Sequence, residues 1–124
     1  MLLDNIRYGN DISFMNELEP YLARLRDLPF VRGIDSLEPI VADGRTVPRI
    51  SLKTPQRGFE LRVAHSRMNL SRPTVDRYLR LIEQRGGTWV FFAPEIPASL
   101  GHLLAERGVN YVDLPGNCRV DLAE

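Results

Sequence analysis

The sequence predicts an α/β domain built on a mixed sheet flanked by helices. Three observations predict it. Thr88–Ala93 and Val109–Leu114 are short runs rich in β-branched and aromatic residues, with a helix-forming segment between them. Val47–Thr54 and Phe59–Ala64 alternate apolar with polar residues across the loop Pro55–Gly58, the pattern of a β-hairpin. Between these two units lies Ser71–Arg85, an amphipathic segment punctuated at both ends. A strand–helix–strand unit of this length implies parallel neighbours and a right-handed crossover. The hairpin adds an antiparallel pair, so the two together make the sheet mixed.

Taken in order, residues 1–10 read as a frayed lead. From Ile12 to Leu28, the residues Phe14, Leu18, Tyr21, Leu22, Leu25 and Leu28 recur at helical spacing, with Asp11 or Ser13 as the expected cap. Pro20 interrupts this pattern. The helix therefore either starts near Glu19, with Pro20 in its first turn, or is kinked. Glu17 and Glu19 are expected to be solvated. Leu28-Pro29 stops the helix. Phe30–Asp43 holds two short extended segments, near Val31 and near Pro39–Ala42, and Asp43-Gly44 is a turn signal.

In the first hairpin strand Val47, Ile50 and Leu52 oppose Arg49, Ser51 and Lys53; in the second, Phe59, Leu61 and Val63 oppose Glu60, Arg62 and Ala64. The following helix has Ser71 as N-cap, Pro73 in its first turn and Gly86-Gly87 as its stop. Val75, Tyr78, Leu79 and Ile82 form its inner stripe, while Arg72, Asp76, Arg77, Arg80, Glu83 and Arg85 lie mostly outside it. Thr88–Ala93 does not alternate, which predicts a strand covered on both faces. Pro94 ends it, and Pro97 suits the first turn of a helix whose stripe is Leu100, Leu103 and Leu104. Gly108 is the expected C′ stop, and Pro115-Gly116 turns the chain after the last strand.

At 124 residues the chain is one domain, 1–124, either whole or one part of a longer protein. A hydrophobic content of 44% supports a packed core and argues against disorder. The single cysteine, Cys118, has no partner for an intramolecular disulfide, which fits a cytoplasmic protein. Cys118 reads as a small buried residue rather than a nucleophile. The start MLLDNIRYGNDISF lacks the basic-then-apolar order of a signal peptide. No apolar run approaches the roughly 18 residues of a membrane span.

The net charge of zero hides an asymmetry. Residues 1–44 hold four Arg against eight acids and residues 86–124 hold two Arg against five, but residues 45–85 hold nine Arg and one Lys against three acids, a local net charge of +7. A basic block between acidic flanks suits a polyanionic partner. The alternative is that these cations pair with the acidic flanks. Other chemistry is weakly supported: His65 and His102 fall on different elements, one cysteine gives no zinc-ligand spacing, and no phosphate-binding glycine pattern occurs.

An alternative places a winged helix-turn-helix in residues 58–93. Ser71–Leu79 resembles a recognition helix, and Met68, Leu70, Val75 and Tyr78 fall at its apolar positions. Such a helix would offer Arg72, Thr74 and Arg77 to base edges. His65 stands where that motif needs a small residue.

A second resemblance covers more of the chain. Phe92-Ala93-Pro94, Pro97, Leu104, Gly108–Leu114 and Gly116-Asn117 resemble the AbiEi-type antitoxin and transcriptional-regulator group, and the similarity runs more weakly back to about Val47. The resemblance implies a restriction-endonuclease-like, PD-(D/E)xK-type core, with Val47–Thr54 and Phe59–Ser66 as its site-bearing strands. It also implies DNA as partner, a homodimer and a cognate toxin protein, and relatives that often carry a further DNA-binding domain. The family pattern puts an acidic residue near Pro48 or Arg49 and Glu-x-Lys at Ala64-His65-Ser66, and this chain has none of them. A Mg²⁺-dependent nuclease needs carboxylates for the metal and a lysine beside the reacting phosphate. The expectation is a fold kept for binding, with no cofactor. Tyr111, Asp113, Gly116 and Asn117 belong to the resembling motif, and Asp113 is expected to tie down the Pro115-Gly116 turn.

The enzyme alternative needs Mg²⁺ at a displaced site formed by Asp43, Glu60, Arg62 and Lys53, or by Glu38 with Asp43; Glu60 and Arg62, two apart on a strand, share a face. The favoured reading is DNA binding in regulation, with Arg49, Arg67, Arg72, Thr74, Arg77 and Arg80 as contacts. Arginine suits this because it grips phosphate bidentately. A module that only dimerises or holds a protein partner is the remaining rival.

Overall fold

Alternating residues in the hairpin give each of its strands one apolar face, and the unbroken apolar run beside it is covered on both faces. The computed structural model describes residues 16–42 and 44–122. It begins with a helix over residues 16–26 (α1). Then come β1 (Gly33–Ala42), β2 (Arg45–Lys53), β3 (Gly58–His65), α2 (Arg72–Arg85), β4 (Trp89–Ala93), α3 (Ala98–Glu106), β5 (Asn110–Asp113) and β6 (Cys118–Arg119). The six strands form one sheet in chain order. β1, β2 and β3 are an antiparallel meander, β3, β4 and β5 run parallel, and β6 returns antiparallel to β5. This is a mixed α/β architecture, the class the sequence predicts.

The period of two sorts each strand between two cores. Trp89, Phe91 and Ala93 of β4 pack with Val75, Leu79 and Ile82 of α2 and Leu100 and Leu104 of α3. Val90 and Phe92 face the other way, with Ile50, Leu52, Leu61 and Val63, against Leu18, Tyr21, Leu22 and Leu25 of α1. All five residues of β4 are buried because both faces are covered. Each large apolar side chain buried under α1 contributes about 1.5–3 kcal/mol relative to exposure. Tyr21 stacks on Phe92 at 4.9 Å between ring centroids, and Arg24 of α1 donates to the carbonyl of Leu114 at 3.0 and 2.6 Å, binding α1 to the turn after β5.

Three expectations are corrected, and one strand is new. No helix precedes α2 in 58–65: those residues are β3, paired with β2 on one side and β4 on the other, so the winged helix-turn-helix in 58–93 is not formed. The alternation of Phe59, Leu61 and Val63 outweighs the motif match. The two short extended segments before Gly44 are one strand, β1, with a register irregularity between Leu37 and Ile40. Pro39 sits inside that irregularity on an edge strand, where a missing N–H costs least. The helix already includes residue 16, so it does not begin near Glu19, and Pro20 is exposed within it. β6 was not expected; its two residues are too few to show alternation. Asp11, Ser13, Phe14 and Asp43 lie outside the described residues.

Candidate nucleic-acid interface

Where β2 begins and β3 ends, the sheet opens into a cleft of about 750 Å³. Its walls are Arg45–Pro48 of β2, Val63–His65 of β3, the loop after β3, and Thr74, Arg77 and Tyr78 of α2, with Trp89 also in the lining. α2 is positioned by its apolar stripe: Tyr78 meets Phe91 edge-on at 4.9 Å and donates its hydroxyl to the carbonyl of His65 at 3.0 Å. Its far end is held by Arg62, whose guanidinium donates to the carbonyls of Arg85 and Gly86 at 3.3 Å. Gly87, at φ 86°, lies beneath that guanidinium; a Cβ there would come within 3.1 Å of Arg62 Nε.

The cleft is basic. Arg45, Arg67 and Arg77 line it together with Ser66, Asn69, Ser71 and Thr74, and no carboxylate lines it among the described residues. Arg80 joins Arg45 and Arg77 around an adjoining hollow of about 330 Å³. Among the described residues no salt bridge is formed by Arg45, Arg77 or Arg80. Arg67 differs. It makes a bidentate pair with Glu17 at 2.8 Å through both nitrogens. His65 Nδ1 lies 3.8 Å from the same carboxylate. Glu17 is therefore not simply solvated, and its expectation is corrected: it spans 50 residues of sequence to meet Arg67. The hydrogen bond from Arg67, helped by the charges of Arg67 and His65, holds the Glu17 carboxyl below its ordinary value. Burial pushes the His65 imidazole below its ordinary value, against the opposing pull of Glu17.

The remaining DNA-contact candidates separate. Thr74 lines the cleft and accepts from Ser71 Oγ at 3.0 Å, so Ser71 stands at the N-cap of α2 without a side-chain bond to the helix backbone. Arg72 pairs with Asp76 at 3.1 Å, one turn along α2. Arg49 lies outside the cleft lining, bonded to the carbonyl of Glu38 at 2.6 Å and paired with Glu60 at 3.1 Å. Arg45 was missed by the sequence reading. Its only signal was its place just after the Asp43-Gly44 turn, at the mouth of the first hairpin strand.

Of the displaced-carboxylate residues, Glu60, Arg62 and Lys53 share one face of the β2–β3 pair, and each already has a partner. Glu60 faces Arg49, Arg62 holds the end of α2, and Lys53 pairs with Asp35 of β1 at 3.0 Å. Among the described residues no group of three or more His, Cys, Asp or Glu side chains is placed to hold a metal. The cleft does not fit Mg²⁺ on these residues: the ion requires carboxylate or phosphate oxygens, and three guanidinium groups oppose a cation there. Cys118 is half-buried, and burial first, with Asp113 second, pushes its thiol up, away from the reactive thiolate.

The motif after β5 is an internal hydrogen-bond knot. Asp113, fully buried, accepts from the backbone N–H of Gly116 and Asn117 at 3.0 and 2.7 Å, from the Asn117 side chain at 2.9 Å and from the N–H of Ile96 at 3.1 Å. Gly116 takes φ 110° in this turn, a conformation that favours glycine. Buried Asn110 donates to the carbonyl of Trp89 at 3.1 Å and accepts from the N–H of Asp121 at 2.7 Å. The ring of Tyr111 rests on Gly101 of α3, where a Cβ would stand 2.8 Å from its hydroxyl oxygen.

No helix among the described residues is long and apolar enough to cross a membrane. No family model matches the chain, and no curated protein does. Among solved structures, the apo form of EndoMS aligns over 76% of this chain at 18% identity with a TM-score of 0.39, too low to establish a shared fold. The chain spans 44% of the length of that protein.

Proposed function

We propose that this domain binds duplex DNA through the cleft between β2, β3 and α2, as a catalytically degenerate nuclease-like domain in a regulatory role. The observation that carries the reading is the cleft itself. It lies at the ends of the two strands that the AbiEi-type resemblance makes site-bearing, and arginines line it without a carboxylate among the described residues. Where that resemblance expects Glu-x-Lys, the cleft has Ala64-His65-Ser66. Arg77 and Arg80 are one turn-neighbour pair on α2 and, with Arg45, have donors left over for phosphate oxygens. Arg67 joins them when a phosphate displaces Glu17. Phosphate contacts of this kind give affinity and register without reading sequence. In the same reading the protein is cytoplasmic, acts as a homodimer or beside a cognate toxin protein, and is one domain, alone or within a longer regulator.

The test is DNA binding by the purified protein at several salt concentrations, with and without Mg²⁺. Salt-sensitive binding without cleavage is expected. Replacing Arg77 and Arg80 together by Ala should weaken binding and flatten the salt slope by about two. Cleavage that requires Mg²⁺ would overturn the degenerate reading in favour of an active nuclease. No binding at low salt would leave the protein-interaction module as the better account.

A further inference from the structure

The most exposed large apolar side chain among the described residues is Met68, at 77% of its full accessibility. It is not on a floppy tip. On one side Ser66 is anchored by its N–H to the carbonyl of Phe92 at 2.9 Å, and its hydroxyl donates to the carbonyl of Met68 itself at 2.9 Å. On the other side Leu70 is buried, with its N–H on the carbonyl of Glu95 at 3.3 Å. These anchors at Ser66 and Leu70 do not involve the Arg67–Glu17 pair, so they persist when a phosphate takes the place of Glu17. Met68 is thus an apolar prong on a braced turn, and it stands in the lining of the basic cleft with Arg45 and Arg77.

A single exposed apolar side chain is ordinary on a protein surface, but Met68 stands out because it belongs to the lining of a cleft that also holds three arginines. Next to phosphate-binding cations the same side chain has a use. Apolar side chains, Met among them, insert between base steps, partly unstack them and kink the duplex. Arginines on either side hold the backbone while the wedge enters, and the braced turn keeps the ordering cost low. Resting on the DNA-binding reading above, we infer that Met68 is a wedge that unstacks one base step of the bound duplex, so that this domain prefers DNA that kinks easily. Pyrimidine–purine steps unstack cheaply and A-tracts resist, so the preference arises from deformability without base-edge contacts.

The experiment uses the intact protein and duplexes of about 20 base pairs carrying 2-aminopurine beside a central TA step or within an A-tract. Four proteins are compared: the unmodified chain, M68A, M68L and R77A. Met68 is exposed, so none of its substitutions threatens folding. Saturating protein should raise 2-aminopurine fluorescence on the TA duplex severalfold and much less on the A-tract. M68L should keep the rise. M68A should lose it, with affinity weakened by about three- to tenfold and an unchanged salt slope. R77A should weaken binding and reduce the salt slope by about one, yet keep the rise at saturation. Salt-dependent binding without any rise, or an equal rise with M68A, overturns the wedge and leaves the DNA reading standing. No binding of the unmodified chain at low salt overturns both.

Discussion

The segment from Asn110 to Asn117 and the cleft between β2 and α2 handle polar groups in opposite ways. In the first, the two buried polar side chains, Asn110 and Asp113, are satisfied inside the chain, Asp113 by four donors. In the second, Arg45, Arg77 and Arg80 form no ion pair among the described residues. The first region turns its buried polar groups inward onto the chain's own backbone. The second leaves its cations to the solvent. Buried polar groups serve the fold; cations without an ion pair are what it has to offer a partner.

Substitutions should split along the same line. The largest effect on stability is expected at Asp113. Asp113→Ala removes the acceptor of three backbone N–H groups, of which that of Ile96 is buried, and should cost about 2–3 kcal/mol in urea unfolding. A loss below 1 kcal/mol would mean the knot is dispensable. Next comes Gly101→Ala, which forces the Tyr111 ring off α3 and should cost about 1–3 kcal/mol. Adding Tyr111→Ala should remove part of that cost, so the pair should be less than additive; strict additivity would separate the two residues.

Acidification sharpens the comparison from the cleft side. His65 sits below its ordinary value of 6.5, so the folded state favours the neutral ring. That stability is present above about 6.5 and is lost as pH falls from there through the lowered folded value. Glu17, held below 4.5, adds a loss of the same sign as pH falls through its own depressed value. Stability should therefore decline in two stages on acidification. His65→Gln should flatten the first stage and Glu17→Gln the second, read from unfolding midpoints across pH. The smallest effect is expected at Arg45→Ala with Arg77→Ala. Folding stability should stay within about 0.5 kcal/mol while DNA affinity falls. Strong destabilisation would show that these arginines serve the fold after all.

Much of this architecture was legible because local patterns coincide with burial. β4 reads as doubly covered, and all five of its residues are buried. The stripe Val75, Leu79 and Ile82 is the buried face of α2. Gly108 takes φ 74° just beyond α3, at the predicted stop. β1 was obscured by Pro39, which breaks the pattern where the strand itself breaks register. The basic block was visible as charge, but charge does not say which arginines are occupied. Arg67 meets Glu17 across 50 residues, and Arg49 meets Glu60 across a hairpin. Pairings that depend on tertiary distance leave no spacing to read, and Arg45 went unnoticed for the same reason.

The strand order has a consequence for synthesis. Every strand hydrogen-bonds only with its sequence neighbours, β1 through β6. As the chain leaves the ribosome, each new strand can add to the free edge of the sheet already made, and none must be inserted between earlier ones. The antiparallel pairs close locally, while the parallel pairs β3–β4 and β4–β5 wait for the crossovers through α2 and α3. The exception is α1. It precedes β1 in the chain, yet its docking face includes Val90, Phe92 and Val112 of β4 and β5, which follow it by more than 60 residues. Until β4 and β5 have been made, part of the apolar stripe of α1 lies uncovered, and over that interval this helix is exposed to misassociation with a nascent neighbour.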